Sequence, residues 1–315
     1  MSRPLISICI PAYQRINYLE RLLRSIEQQT FRDFEIIVTD DSPDNSVALM
    51  VDKYHHLNIR YKKNEVALGT PANWNSGIKQ CRGEWIKLIH DDDWFSSPDS
   101  LQIFADHTKM GKKFIFSAYA NHFEDGKTPV EQKFLPDSWA RKILREPMTL
   151  LAYNVIGPPS VIMVHRSITE LYDEALKWRV DMEYYVRLLN MLNGYEYIND
   201  VLVNVGVSES QVTQSCIYKP NVELPEGKRL LDKHGDFRLK NIWVYDAWWR
   251  LLRNMDIRSN QQLEQYAPGD WPLVIKRMVK DLSKIPSLLL RFGILSKSFM
   301  FVSYLKNKST LSHHQ

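Results

Sequence analysis

Three consecutive carboxylates, Asp91, Asp92 and Asp93, follow directly on the apolar run Trp85–Ile89, with His90 between. A second pair, Asp40 and Asp41, ends the apolar run that begins at Phe34. Acidic side chains gathered behind buried strands repel one another unless a cation lies among them. Hard divalent cations take oxygen ligands, and Mg2+ or Mn2+ commonly combines one or two protein carboxylates with the phosphates of a substrate. The glycines and lysine of a phosphate-binding loop, in GxGxxG or GxxxxGK order, are absent. The chemistry these residues suggest is a diphosphate bridged to the protein by a metal, hence a nucleotide.

Apolar spacing supplies the elements that must position them. Leu5–Ile10 reads as a buried strand broken by Pro11-Ala12-Tyr13. Asn17, with Glu20 three residues on, reads as a capping box opening a helix whose apolar face is Tyr18, Leu19, Leu22, Leu23 and Ile26. Strands follow at Phe34–Thr39, Ile59–Tyr61 and Trp85–Ile89, and helices at Thr70-Pro71 and Ser97-Pro98, each a cap with proline at the first helical position. This alternation predicts an α/β fold with a mostly parallel, doubly wound sheet. Ligands of such sheets lie beyond the carboxyl ends of the strands. Pro11–Tyr13, Asp40–Ser42 and His90–Asp93 all fall there. Further on, the pattern predicts strands at Lys113–His122, Ser160–His165 and Tyr195–Val205, and helices at Pro147–Tyr153 and Asp181–Leu192. Polar Ser208–Ser215 reads as a loop able to close over a ligand, and the chain is helical from Gly227. The expected division is residues 1–220 for nucleotide binding and chemistry, and 221–315 for a helical extension.

Charge is unevenly spread. Of 315 residues, 41 are Lys or Arg and 37 Asp or Glu. Residues 271–315 hold eight basic side chains against Asp281 alone, so the remainder is slightly acidic. In that segment Val274, Ile275, Met278, Val279, Leu282 and Ile285 share one helical face and Lys276, Arg277, Lys280 and Lys284 the other. Leu288–Leu290, Phe292, Ile294, Leu295 and Phe299–Val302 continue the apolar supply. The pattern predicts helices lying on an anionic membrane surface, without the ~18 apolar residues of a span. The first residues lack a signal-peptide pattern, so a cytoplasmic, peripheral inner-face location is expected. Cys9, Cys81 and Cys216 have no metal-binding spacing and suit a reducing compartment. Trp243, Tyr245, Trp248 and Trp249 recur at helical spacing, as a packed face or as an acceptor platform.

Five motifs stand in one order: Ile8-Cys9-Ile10-Pro11-Ala12-Tyr13; Phe34-Glu35-Ile36-Ile37-Val38-Thr39-Asp40-Asp41-Ser42; Asn75-Ser76-Gly77; Gly83-Glu84-Trp85-Ile86; and Leu88-Ile89-His90-Asp91-Asp92-Asp93-Trp94. In order and spacing the chain resembles glycosyltransferase family 2, over residues 4–100 and more loosely to about 215. The resemblance implies a GT-A, Rossmann-like fold. It implies inverting, metal-dependent transfer of a sugar from a nucleotide-diphosphate donor, a UDP-sugar first, to a hydroxyl of a lipid-linked surface glycan such as O-antigen. It places the nucleotide on Pro11, Ala12, Tyr13 and Asp40, with Asp91 on ribose or diphosphate. The DXD element falls on His90-Asp91-Asp92, where His90 replaces the first Asp of many members. Asp92 is then the ligand for Mn2+ or Mg2+, and Asp93 belongs to an alternative DXD register. Trp74 replaces a basic residue that often precedes Asn75. The general base falls on Asp181 in Trp178-Arg179-Val180-Asp181-Met182-Glu183-Tyr184, with Glu183 as the alternative. Arg15, Asn75 and His165 complete the candidate set. A nucleotidyltransferase acting on sugar phosphates would show a glycine-rich loop where Pro11–Arg15 has none, and the acidic body disfavours a nucleic-acid partner. A non-catalytic, membrane-associated protein is the third alternative.

Overall fold

Seven buried residues, Ile6–Ala12, form strand β1 in a nine-stranded sheet. The computed structural model describes residues 3–208 and 216–308; residues 209–215, most of the loop expected to close over a ligand, lie outside them. The other strands are β2 (Phe34–Asp40), β3 (Ile59–Lys63), β4 (Trp85–Leu88), β5 (Trp94–Phe95), β6 (Phe114–Phe123), β7 (Glu131–Lys133), β8 (Ile162–His165) and β9 (Glu196–Val207). Their order is β3-β2-β1-β4-β8-β6-β9-β5, with β7 on β6. β3, β2, β1 and β4 are parallel, as expected. Parallel strands are covered on both faces, which is why β1 and β4 read as continuous apolar runs. Beyond β4 the sheet is mixed: β8 runs antiparallel to both β4 and β6, whereas β6 and β9 are parallel.

The helices on this sheet include α1 (Ile16–Glu27), α2 (Ser46–Asp52), α3 (Ala72–Ile78) and α4 (Ser100–His107). α1 buries Leu19, Leu22, Leu23 and Ile26, the face its periodicity predicts. Three expected helix starts are corrected. β1 runs through Pro11 and Ala12, so the turn is compressed and α1 starts with Arg15 at its cap; Asn17 lies inside the helix and Glu20 pairs with Arg24. Pro71 takes the cap of α3, not its first helical position. Ser97-Pro98 forms a turn in which the Ser97 N–H donates to Ser100 Oγ, and Asp99 becomes the cap of α4. The expected helix at Pro147–Tyr153 is a 3-10 turn, Pro147–Leu151, capped by the Glu146 side chain.

Gly83 marks a close approach between chain segments. Its N–H donates to Ser7 Oγ at 2.8 Å, and a Cβ there would lie 2.6 Å from the Ser7 backbone nitrogen. Backbone cannot yield as a side-chain tip can. Gly83→Ala is therefore expected to cost about 1–3 kcal/mol, lowering the thermal unfolding midpoint by several degrees. An unchanged midpoint by circular dichroism would contradict this contact.

The chain divides into two compact units. The first contains the sheet. The second comprises Arg141–Asn154, Lys177–Met182 and the described chain from residue 216 onward, so it takes in two segments ahead of the expected boundary at 220 that no shift in composition marks. Two helices carry the chain between units, α5 (Asp137–Arg145) and α6 (Val180–Met191). The second unit's further helices are α7 (Pro220–His234), α8 (Ile242–Asn254), α9 (Asn260–Tyr266), α10 (Leu273–Ser283), α11 (Ser287–Arg291) and α12 (Gly293–Lys308). Tyr245, Trp248 and Trp249 of α8 are buried with Trp271, so three of the four clustered aromatics are core; Trp243 is part-exposed under the Lys142 ammonium. α10 buries Val274, Ile275, Met278, Val279 and Leu282 in the protein itself, which removes that apolar face from the expected membrane surface. Among the described residues no helix is long and apolar enough to cross a membrane.

Candidate active site

The first unit gathers its acidic residues beyond the carboxyl ends of β1, β2 and β4. Asp91 Oδ2 accepts the Tyr13 N–H at 3.2 Å. Arg15 Nη1 donates to Asp92 Oδ2 at 2.6 Å, and its Nε lies 3.8 Å from Asp91 Oδ1. Asp93 Oδ1 accepts the Gly206 N–H at 3.0 Å, while Arg21 Nη2 donates to the Asp92 carbonyl at 2.6 Å. The His90 N–H donates to Ser160 Oγ at 2.9 Å, and its ring packs on Trp74 with centroids 4.6 Å apart. Trp74, in the place of the expected base, thus orients an imidazole.

Donor atoms of His90, Asp92 and Asp93 all lie within 4.8 Å of one another. His90 Nε2 is buried without a hydrogen-bond partner, and burial pushes this imidazole down to about 4, so it is neutral with a lone pair to offer. Burial pushes Asp91 up to about 7 despite Arg15 beside it, and raises Asp93 well above the carboxylate range. An orphaned nitrogen and two carboxylates, among acids that are buried out of water, fit a divalent cation.

Beside the cluster lies a buried lysine that sequence reasoning missed. Lys87 on β4 is fully buried, and its Nζ donates to the carbonyls of Ser160 and Ile162. Burial pushes it down to about 7. Its signal was a lysine inside the apolar run. Arg21 and Gly206 were missed as well; a Cβ on Gly206 would lie 2.5 Å from the Asp92 carbonyl oxygen.

Other candidates are placed differently. Pro11 and Ala12 are buried in β1, and Tyr13 is 50% exposed at its end. Asp40 is buried, with Oδ1 accepting from the Ser42 N–H and Oδ2 from the Tyr61 hydroxyl, each at 2.7 Å. Each oxygen of Asp40 keeps a further lone pair, but the side chain has no exposed surface from which to offer it to a nucleoside. Asn75 is a buried clamp: its Nδ2 donates to the Tyr172 carbonyl and to Glu174, and its Oδ1 accepts the Tyr172 N–H. His165 is not at the cluster. It pairs with Trp85 at the opposite end of β4, roughly 15 Å along the strand from His90, because β8 runs antiparallel. Glu183 is fully buried in a bidentate pair with Arg187, which makes it a poor proton acceptor.

Asp181 belongs to the second unit. It is half-buried in the first turn of α6, with Oδ1 accepting the Met182 N–H at 2.8 Å and Oδ2 the Asn154 amide at 2.9 Å. Burial outweighs these bonds and pushes its pKa up to about 6, a value suited to a general base. The chain just before it is clamped by α7. Glu226 accepts the backbone N–H groups of Lys177, Trp178 and Arg179 at 2.7–3.1 Å. Glu223 takes the Arg179 guanidinium at 2.8 Å and the Tyr218 N–H at 2.7 Å. Glu226→Ala strips three N–H donors of their acceptor, and one unmade buried bond costs about 1–3 kcal/mol. A thermal midpoint lowered by several degrees is expected; a shift below one degree would mean that the clamp is idle.

The profile described as "Glycosyl transferase family 2" matches residues 7–170. The chain is 31% identical over 293 residues to "Putative glycosyltransferase EpsH" of Bacillus subtilis (strain 168), covering 82% of this chain and 83% of that protein. It is 38% identical over 208 residues to "Uncharacterized protein MT1568" of Mycobacterium tuberculosis, covering 60% of this chain and 63% of that relative, less than two thirds of its length. The fold is similar to that of S. aureus TarS 1-349 crystallised with UDP-GlcNAc, with a TM-score of 0.57 at 15% identity, covering 98% and 92% of the two chains.

Proposed function

The chain belongs to glycosyl transferase family 2, and from that premise we propose that it transfers one sugar, with inversion, from a UDP-sugar to a hydroxyl of a lipid-linked surface glycan. The observation that carries the reading is the His90–Asp92–Asp93 cluster with its unpartnered buried nitrogen, at the strand ends where a nucleotide would lie. The neighbour holding UDP-GlcNAc supports a uridine donor.

Asp92, with His90 and Asp93, would hold Mn2+ or Mg2+, and the imidazole among the donors favours Mn2+. Bound there, the cation would neutralise charge on the departing diphosphate. Arg15, already against Asp91 and Asp92, adds a fixed positive charge beside it. Tyr13, with Pro11, Ala12 and Asp40, lines the nucleoside end, and Asp91 faces ribose or diphosphate. Asp181 takes the proton from the acceptor hydroxyl as the new glycosidic bond forms. One displacement with one base inverts the anomeric centre. The acceptor's lipid sets the place of work: the inner face of the cell membrane, with the enzyme peripheral to it.

The test is a thermal-shift screen of nucleotide sugars with and without Mn2+. A binder raises stability by RT ln(1 + [L]/Kd). A Mn2+-dependent rise with a UDP-sugar is expected, and the same pair should then support transfer. No rise with any nucleotide sugar would sink the reading.

A further inference from the structure

Helix α12 (Gly293–Lys308) is turned the opposite way from an ordinary surface helix. Its buried side is largely polar: Ser296, Ser303, Tyr304 and Asn307, with Met300. These residues are tied into their own unit. Trp249 Nε1 and Arg253 Nη1 donate to Ser296 Oγ at 3.1 and 2.9 Å. Ser303 Oγ donates to Asp281 at 2.6 Å, Asn307 Nδ2 to the Tyr245 hydroxyl at 3.1 Å, and the Tyr304 hydroxyl to the Lys240 carbonyl at 2.7 Å. The side facing water is apolar. Ile294 is 84% exposed, and Leu295, Phe301, Val302 and Leu305 are each more than 40% exposed; Leu288 and Phe292, just before the helix, are exposed too.

At 3.6 residues per turn, Ile294, Phe301 and Leu305 form one stripe with Leu295 and Val302 beside it. Lys306 borders this stripe on one side, and Lys297 and Lys308 border it on the other. From Leu282 to Lys308 there are five basic residues and no acid. Hydrogen bonding fixes which face points inward, so the helix cannot hide the stripe by turning about its axis without leaving polar groups unpaired. Exposed apolar surface of this kind marks an interaction site.

We propose that α12, with Leu288 and Phe292 leading into it, is an interfacial membrane-binding helix. Its apolar stripe lies among the outer acyl segments of an anionic leaflet, and Lys297, Lys306 and Lys308 sit at the headgroups. Charge decides between a leaflet and a second copy of the chain. Two copies facing each other through this stripe would set lysine against lysine with no acid between them. Phosphate headgroups complement the same lysines. The helix lies on the membrane and does not span it: it has 16 residues and an inward polar face. The purpose of this surface rests on the lipid-linked acceptor proposed above. Vesicle binding, however, is measured without sugar transfer, so the two readings fail separately.

The experiment is co-sedimentation of the full chain with vesicles of phosphatidylglycerol and phosphatidylethanolamine, and with phosphatidylcholine alone. Two triple variants are compared with the wild type: Ile294→Ser/Phe301→Ser/Leu305→Ser and Lys297→Gln/Lys306→Gln/Lys308→Gln. Wild type is expected in the pellet with anionic vesicles and in the supernatant with neutral ones. Each variant should partition about a hundredfold less. The serine variant should keep its thermal midpoint, because the replaced side chains face water. Wild type left in the supernatant with anionic vesicles overturns the proposal, and so does a serine variant that binds like wild type. A wild-type dimer that the serine variant converts to monomer assigns the stripe to a second copy and overturns it as well.

Discussion

Asp181→Asn is expected to lower turnover by about 10²–10⁴-fold, the usual contribution of a positioned general base, while donor binding stays unchanged. The amide has the shape of the carboxylate. Its oxygen can still accept the Met182 N–H, so the first turn of α6 keeps its support. What is lost is the lone pair proposed to take the acceptor proton, and with it the acceptor of the Asn154 amide. The pH profile gives a second reading. Burial raises this carboxyl to about 6, and the reactive form is the deprotonated one. Wild-type turnover should therefore rise with pH through about 6 and level off above it. In the Asn variant the residual rate should lack that acid limb. Turnover kept near the wild-type level would remove Asp181 as the base, and a limb persisting in the variant would assign the titration to another group.

Asp92→Asn is expected to act on the donor side. It withdraws a carboxylate from the His90–Asp92–Asp93 cluster and from the Arg15 pair in one step. A bound metal contributes several kcal/mol to stabilising developing phosphate charge, so transfer should fall about a thousandfold or more. The Mn2+-dependent thermal shift with a UDP-sugar should disappear in this variant and persist in Asp181→Asn. That crossed pattern separates the two carboxylates. If Asp92→Asn keeps the full Mn2+-dependent shift, the cation is held elsewhere.

The parallel half of the sheet was legible because strands covered on both faces must be mostly apolar, and Ile6–Ala12 and Trp85–Leu88 are broken only by Ser7 and Lys87. The carboxylates behind them were legible for the same reason, as sharp breaks in those runs. Helix starts were harder to read. Asn17, Thr70 and Ser97 are all good cap residues by type, but the turn leading into each helix selects a neighbour instead. Strand direction was not legible. An antiparallel β8 leaves the same apolar run as a parallel one, and that sent His165 to the wrong end of β4. The supports of the site were out of reach for a different reason. Arg21 meets Asp92 across 71 positions of sequence, and Gly206 meets Asp93 across 113. The C-terminal charge pattern pointed to a membrane, yet periodicity assigned the outward face to α10. Only the hydrogen bonds of Ser296, Ser303 and Asn307 show that α12 turns its polar side inward.

The clamp of Glu226 and Glu223 on residues 177–179 bears on how this chain can be cut or recombined. A fragment ending near residue 210 would retain every side chain of the acidic cluster. It would also retain Asp181 in sequence, but without the carboxylates that fix the peptide leading into it. Such a fragment should still recognise a nucleotide and be a poor transferase. Grafting a foreign helical region onto the same sheet would replace the support of Asp181, the proposed proton acceptor, along with the helix proposed to face the membrane. On the proposed roles of these residues, a lineage built by exchange of such pieces would inherit donor recognition with the first unit and acceptor chemistry with the second.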